Sequence, residues 1–274
     1  MSGWAVVLGA SAGTGAAVAT HVARDPGLHV FGVHRGRYVE GAHAVEAEVR
    51  AAGREVVMRT ADAGTAEGAE QGADALLAAA GKRSVRLVVH SIASASVGRL
   101  VHGERTVVPR QVEKTFDAMA HSFLYWTQAL VARELLAPGA QILGLTNPLS
   151  ESTLHNSGLI AAAKGALEMY VRHLAMELGP MGHRVNLLKF GTVVTPALRH
   201  VFDEGAMRRV EAVHARMIPA GRMVTLEEVA AFVAVLCKPA GAWFNGATID
   251  FTGGMTQHLL DLVMYPEAGG GALS

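Results

Sequence analysis

The sequence predicts an α/β protein: one doubly wound domain with a seven-stranded parallel sheet flanked by helices on both faces. Three observations predict it. Short β-type runs alternate with longer Ala-rich stretches of helical character. The runs are apolar at nearly every position, as strands covered on both faces are. A Gly-rich turn joins the first run to the first helical stretch. The strands are expected near 4–9 (WAVVLG), 28–33 (LHVFGV), 55–60 (EVVMRT), 85–90 (VRLVVH), 140–146 (AQILGLT), 184–190 (RVNLLKF) and 246–250 (GATID). Helices are expected between them, at 13–25, 40–52, 66–80, 110–136, 155–179, 196–217 and 225–237. No internal repeat, low-complexity tract or linker divides the chain, so residues 1–274 are read as a single domain. The tail at about 266–274 (PEAGGGALS begins it) is the one loose stretch.

Composition narrows the function classes. Half of the 274 residues are hydrophobic, and 24 basic side chains balance 24 acidic ones. Neither an electrostatic nucleic-acid binder nor a polybasic membrane patch fits that balance. Cys237 is the single cysteine, so an internal disulfide is impossible; this suits a reducing cytoplasm. The start, MSGWAVVLGASAG, lacks the basic residues of a signal peptide. No apolar run reaches the roughly 18 residues of a membrane helix. A cytoplasmic location is the expectation.

The first turn, VVLGASAGTGAAVA, sets Gly9, Gly13 and Gly15 in a G-x-x-x-G-x-G pattern between strand and helix. Glycine allows a tight turn. It also lets a pyrophosphate approach the helix N-terminus, where free N–H groups and the dipole favour negative charge. The placement predicts a nucleotide site; the alternative is a plain tight turn. The second strand ends in GVHRGRY. A cofactor with a bare ribose meets an acid at this place. Here stand His34, Arg35 and Arg37, and arginine forks match phosphate geometry. NADP is therefore expected over NAD, with Arg35 as its main ligand and Arg37 the better candidate for ordinary surface charge. Asp62, just past the third strand, is open to two roles: accepting from an adenine amine, or capping the next helix.

The chain resembles the short-chain dehydrogenase/reductase family. The resemblance is carried by the Gly-rich turn, by Lys164 on a helix after the fifth strand, by RVNLLKFGTVVT (184–195) and by GATIDFTGG (246–254). Within the family it looks most like the divergent enoyl-acyl-carrier-protein reductases. VVHSIAS (88–94), GLIAAAKGALEMYVRHLAMELGPMGHRVN (158–186) and GRMVTLEEVAAFVAVLC (221–237) resemble their segments, so the match covers about residues 3–257. It implies a Rossmann fold with strand order 3-2-1-4-5-6-7 and a nicotinamide cofactor. Gly9, Ser11, Gly13 and Gly15 would hold the phosphates, and Asp62 the adenine. Ser91, Ile92 and Ala93 would line the nicotinamide side. Lys164 would bond the nicotinamide ribose. Gly191, Thr192 and Thr195 would hold the carboxamide and nearby phosphate. The alanines at 161–163 then fit as close packing.

One departure from the family matters more than the match. The broad family places a proton-donating tyrosine four residues before the lysine, where this chain has Ile160. The enoyl reductases place it seven before, where this chain has Ser157. A second tyrosine, near the end of the fifth strand, aligns with Asn147, preceded by Thr146. Tyr125 and Tyr170 match neither slot. A ketone that accepts hydride becomes an alkoxide and needs a proton on oxygen; losing the positioned acid costs on the order of 10²–10⁴ in rate. An enoyl thioester passes instead through an enolate, whose oxygen needs a hydrogen bond while the proton goes to carbon. Ser157, Thr146, Asn147 or a ribose hydroxyl can supply that bond. His121, His155 and His90 are candidate substitute acids, each also readable as a structural histidine. The absence of a G-x-S-x-G elbow argues against a Ser-His-acid hydrolase.

The segment 94–109 is a long β-to-α connection at the sheet edge where such folds bind ligands. The stretch 193–218 resembles the family's substrate lid, and its Met207 and Met217 suit either a pliable pocket or helix core. The leading expectation is an NADPH-dependent reductase of an enoyl or conjugated carbonyl substrate in fatty-acid or polyketide-type metabolism. Its substrate is a small molecule, with carrier-protein and coenzyme A thioesters both open. The alternatives are an atypical ketoreductase with a substitute proton donor, and a cofactor-binding scaffold or cyclase without redox chemistry. The helices at 110–136 and 155–179 are apolar over more than one face, which predicts a homotetramer or homodimer.

Overall fold

The computed structural model describes residues 3–195 and 203–258. Its seven strands are β1 (Trp4–Leu8), β2 (His29–His34), β3 (Val56–Thr60), β4 (Val85–His90), β5 (Leu136–Thr146), β6 (Arg184–Phe190) and β7 (Thr248–Phe251). They form one parallel sheet in the order β3-β2-β1-β4-β5-β6-β7, the order expected. The central β1 is buried at every residue, which is why its sequence is apolar without alternation.

The helices are α1 (Gly13–Arg24), α2 (Val39–Ala51), α3 (Ala66–Ala80), α4 (Pro109–Phe116), α5 (Ser122–Ala132), α6 (Gly158–Leu178), α7 (Glu204–Met217) and α8 (Leu226–Leu236). A π-helical segment, Asp117–His121, links α4 to α5 without a break. Two cores result, one on each side of the sheet. Phe123 and Trp126 of α5, with Leu167 and Val171 of α6, pack on one side. Val18 and Val22 of α1, Val45 of α2 and Val229 and Val233 of α8 pack on the other. The start of α8 is fixed by Thr225 and Glu228, which cap each other's backbone N–H groups.

The structure moves three expected boundaries. The helix expected at 110–136 spans 109–132 in three consecutive pieces, and β5 begins at Leu136 rather than 140. Leu135 and Leu136 continue the apolar helical pattern, but Glu134 turns to φ 53° and Leu136 pairs with Val85 of β4. Sheet pairing thus overrides local helical preference. The helix expected from 155 begins at Gly158, because the chain first closes a turn in which Ser157 N–H bonds Leu154 O at 3.1 Å. Of the helix expected at 196–217, residues 204–217 are helical; 196–202 and the tail lie outside the described residues.

The C-terminal sheet edge carries the loops that matter below. Lys189 of β6 is buried and bonds Glu151 at 2.7 and 2.8 Å and Asp250 of β7 at 3.1 Å. Burial alone would lower its pKa, but the two carboxylates outweigh that and the net shift is upward. The pair Lys189–Glu151 anchors the loop that runs from β5 to α6 directly onto the sheet.

Candidate active site at the carboxyl edge of the sheet

The Gly-rich turn is built by close approach. Gly9 sits just past β1 at φ 91°, and a Cβ there would run into the Ser91 carbonyl past β4. A Cβ on Gly15 would run into the Gly9 carbonyl. Ser91 N–H bonds Leu8 O at 2.9 Å, which ties the β1 and β4 ends together. The free N–H groups at the start of α1 therefore face a cleft that only glycines can line so tightly.

Beside this turn lies a hollow of about 280 Å³. It is lined by the turn itself, by His34 and Arg35 past β2, by Asp62 past β3, by Ser91, Ile92 and Ala93 past β4, and by Thr195 past β6. Five strand ends thus bring most of the expected nucleotide ligands to one place; Gly15, Lys164, Gly191 and Thr192 do not line it. Asp62 Oδ1 accepts from Gly64 N–H at 3.0 Å. It does not cap the following helix: Thr65 does, its hydroxyl accepting from Gly68 N–H at 3.0 Å. The capping role expected as one alternative is thus taken by Thr65, and Asp62 lines the hollow while holding the Gly64 turn. His34 is buried, with Nδ1 accepting from Gly36 N–H at 3.2 Å, and burial lowers its pKa. Arg35 Nη2 donates to Ser94 Oγ at 2.8 Å, reaching across the mouth of the hollow from β2 to the β4 loop. Arg37 borders the hollow and also a second, open groove between α1, α2 and α8, so it stands closer to the outer side of the turn than expected of a bystander.

Lys164 answers to its surroundings. It is buried in α6, 5% exposed, and its Nζ donates to Leu145 O of β5 at 2.8 Å. No acid pairs with it among the described residues. Burial lowers its pKa to about 8. Close by in electrostatic terms is His90, at the end of β4 and 1% exposed, whose pKa falls to about 3 through burial first and the Lys164 charge second. Ser122 Oγ donates to Ala118 O at 2.9 Å, so His90 Nε2, 2.8 Å away, is the donor to Ser122. His90 Nδ1 is buried without a partner. This buried ring, through its bond to Ser122, braces the start of α5 against the end of β4.

The other sequence candidates divide. Ser157 stands at the N-cap of α6, seven residues before Lys164. It is buried, and its hydroxyl makes one long bond, 3.4 Å, to His155 O. Thr146 ends β5 with its hydroxyl buried and unpartnered. Asn147 turns its side-chain oxygen to Leu149 N–H at 3.2 Å, capping a short helical turn. Gly191 follows β6, and Thr192 Oγ1 lies 2.8 Å from His214 Nε2 of α7. His121 is elsewhere: its Nδ1 meets Tyr170 OH at 2.9 Å, and its ring packs with Phe116, Tyr125 and Tyr170. The helix path explains the difference. The π-helical segment rotates the face that His121 would otherwise present. Tyr125 OH is likewise engaged, donating to Asp117 at 3.2 Å. Sequence reasoning missed two elements, the His90–Ser122–Ala118 brace and the His214–Thr192 bond. Neither has a sequence signal, because each joins segments far apart in the chain.

A family model described as Enoyl-(Acyl carrier protein) reductase matches residues 9–256. Among curated proteins, the NADH enoyl-[acyl-carrier-protein] reductase FabI of Escherichia coli K12 is 31% identical over 169 residues, 61% of this chain and 63% of that enzyme. The aligned part is thus less than two thirds of the relative's length. A 1-cyclohexenylcarbonyl-CoA reductase of Streptomyces collinus is 27% identical over 253 residues, 92% of this chain and 86% of that one. Among solved structures, a short-chain dehydrogenase of Burkholderia cenocepacia J2315 in complex with NADP is 26% identical, with a TM-score of 0.79 over 92% of this chain and 97% of that one. The single parallel sheet flanked by helices agrees with the structural match. The chain belongs to the enoyl-acyl-carrier-protein reductase group of the short-chain dehydrogenase/reductase family.

Proposed function

We propose that the protein is an NADPH-dependent reductase of a conjugated C=C bond, in an enoyl thioester or a related conjugated carbonyl compound of fatty-acid or polyketide-type metabolism. The observation that carries this is that, among the described residues, no phenol fills a family tyrosine slot, while the buried hydroxyls of Ser157 and Thr146 stand at or next to those slots. Tyr125 and Tyr170 are bonded elsewhere, and Ile160 and Ser157 fill the two slots where a tyrosine would act. Tyr265 lies outside the described residues. Ketone reduction needs a proton on oxygen; enoyl reduction needs only a hydrogen bond there. The conjugated thioester acted on by the Streptomyces relative, as its name states, supports the same choice.

The residues fit a nicotinamide dinucleotide. The glycine cleft admits phosphate at a helix N-terminus, Asp62 stands ready as an acceptor, and the Lys164 ammonium has one protein acceptor for its three donors. When bound, the cofactor supplies hydride to the β-carbon. Lys164 holds the ribose hydroxyls, and Ile92 and Ala93 back the reacting ring. Ser157 turns its weakly held hydroxyl to the thioester oxygen and stabilises the enolate, with Thr146 as the second hydroxyl at hand. The final proton reaches the α-carbon from water. Met207, buried in α7, and Met217 contribute apolar surface on the lid side.

The direct test is cofactor oxidation with crotonyl thioesters set against aromatic polyketide ketones. Turnover of the thioester supports the proposal, and turnover of ketones alone contradicts it. Ser157→Ala should slow thioester reduction on the order of 10²-fold while leaving dinucleotide affinity nearly unchanged. Full activity of that variant would remove Ser157 from the mechanism.

Cofactor choice is carried by Arg35 with Arg37 beside it. Arg35→Ala should weaken NADPH much more than NADH in calorimetric titrations. Equal weakening of both would show that Arg35 does not meet the 2′-phosphate.

The buried lysine sets a stability signature. Its folded pKa of about 8 lies below the ordinary lysine value of 10.5, so the unfolded chain binds the extra proton between those values. Stability from this site therefore rises as pH rises through that window. Lys164→Met should stabilise the cofactor-free protein at pH 7 by on the order of 3 kcal/mol and lose most of that advantage by about pH 10.5. It should lose dinucleotide affinity at every pH. Melting curves in which the advantage stays constant with pH would refute the depressed lysine.

Assembly completes the proposal. Met169 and Met176 stand exposed on one face of α6, and Met181 and Trp243 are exposed nearby in the chain's fold, Trp243 at 96%. Apolar surface of this kind suits a homotetramer or homodimer. Light scattering that gave the monomer mass of 28.7 kDa at micromolar concentration would contradict it.

A further inference from the structure

We propose that His214 fixes the direction of the Thr192 hydroxyl and so makes Thr192 an acceptor dedicated to the carboxamide N–H₂ of a bound nicotinamide. This rests on the dinucleotide reading above and adds to it a positioning residue on a different element. His214 lies on α7, and its Nδ1 is 2.7 Å from Val210 O, one turn back on the same helix. A carbonyl oxygen only accepts, so Nδ1 carries the hydrogen. A neutral imidazole has a single N–H, which leaves Nε2 as a bare lone pair. Thr192 Oγ1 is 2.8 Å from that nitrogen. The threonine proton must then point at His214, and Thr192 retains lone pairs alone.

Position gives this polarity a use. Thr192 stands two residues past the end of β6, at the same sheet edge as the glycine turn. Three residues on, Thr195 lines the dinucleotide hollow, and a Cβ on Gly13 would lie 3.3 Å from its methyl group. A carboxamide presents an N–H₂ donor and a carbonyl acceptor. A hydroxyl that is free to rotate serves either end. A hydroxyl that has spent its proton on His214 serves only the N–H₂. His214 touches no reacting atom; it acts through Thr192 and links α7 to the turn beyond β6.

The test is binding, not turnover. The full chain is titrated by calorimetry with NADP and with its 3-acetylpyridine analogue, which carries a methyl group in place of the amide N–H₂. A pH of about 8 keeps ordinary imidazoles neutral. The wild type should bind the carboxamide form about three- to tenfold more tightly, the worth of one hydrogen bond. His214→Phe keeps the ring volume and removes the acceptor. It should bring that ratio toward unity, because Thr192 regains its donor for the carbonyl that both ligands share. His214→Leu gives the same readout should the first variant not fold. A wild type that binds both forms equally would overturn the inference. So would variants that weaken both ligands by one common factor, which is what a merely structural histidine would do. A wild type that binds neither NADP nor NAD would overturn the dinucleotide reading itself, and the inference with it.

Discussion

The buried ammonium of Lys164 is the constraint on which the site depends. An amine placed inside a helix–sheet interface with one carbonyl partner is costly unless something else comes to share it. Of the small residues beside Lys164 in sequence, Ala163 is buried with it. Its one bond, to Leu145 O, points it at the end of β5. There Thr146, Asn147 and the loop to Ser157 begin. That loop is held by Lys189 and Glu151, a second buried lysine whose charge is fully matched. The contrast between the two lysines separates scaffold from site: one has its carboxylates, the other has unused donors.

The glycine turn and the lysine are coupled through β4. Gly9 and Gly15 let the turn pack on Ser91, and the β4 end that carries Ser91 begins with His90, which braces Ser122 and the π-helical segment. Ala118 of that segment lines the nucleotide hollow. The glycine turn, the hollow beside it and the brace to the π-helical segment therefore meet at one short stretch, His90–Ala93. Substitutions there should be felt in every subsite together, in contrast to changes at the rim such as Arg35.

Much of this was legible in the sequence, for identifiable reasons. Buried parallel strands must be apolar at every position, so β1, β2, β4 and β6 were visible within a residue. The Gly-rich turn was visible because close backbone approach leaves no other residue type. What escaped detection was non-local. The end of α5 depended on Leu136 finding Val85, which no helical pattern can announce. His121, a candidate substitute acid on the long helix, ends a π-helical segment and meets Tyr170, a contact that joins residues 49 apart. Asp62 could be read as an adenine acceptor or as a helix cap, and only the structure shows that Thr65 is the cap. His214 gave no signal at all, since its meaning lies entirely in Thr192, 22 residues away.

The central claim is that this site, with no phenol in a family tyrosine slot among the described residues, serves hydride transfer to carbon-carbon unsaturation. It is tested most directly by the fate of the label. NADPH deuterated at the transferable position of the nicotinamide is incubated with the protein and a crotonyl thioester, and the product is examined by NMR. Deuterium at the β-carbon, with solvent hydrogen at the α-carbon, is the predicted result. Deuterium on a carbonyl-derived carbon, or recovery of unlabelled thioester beside a ketone substrate that is reduced, would contradict it.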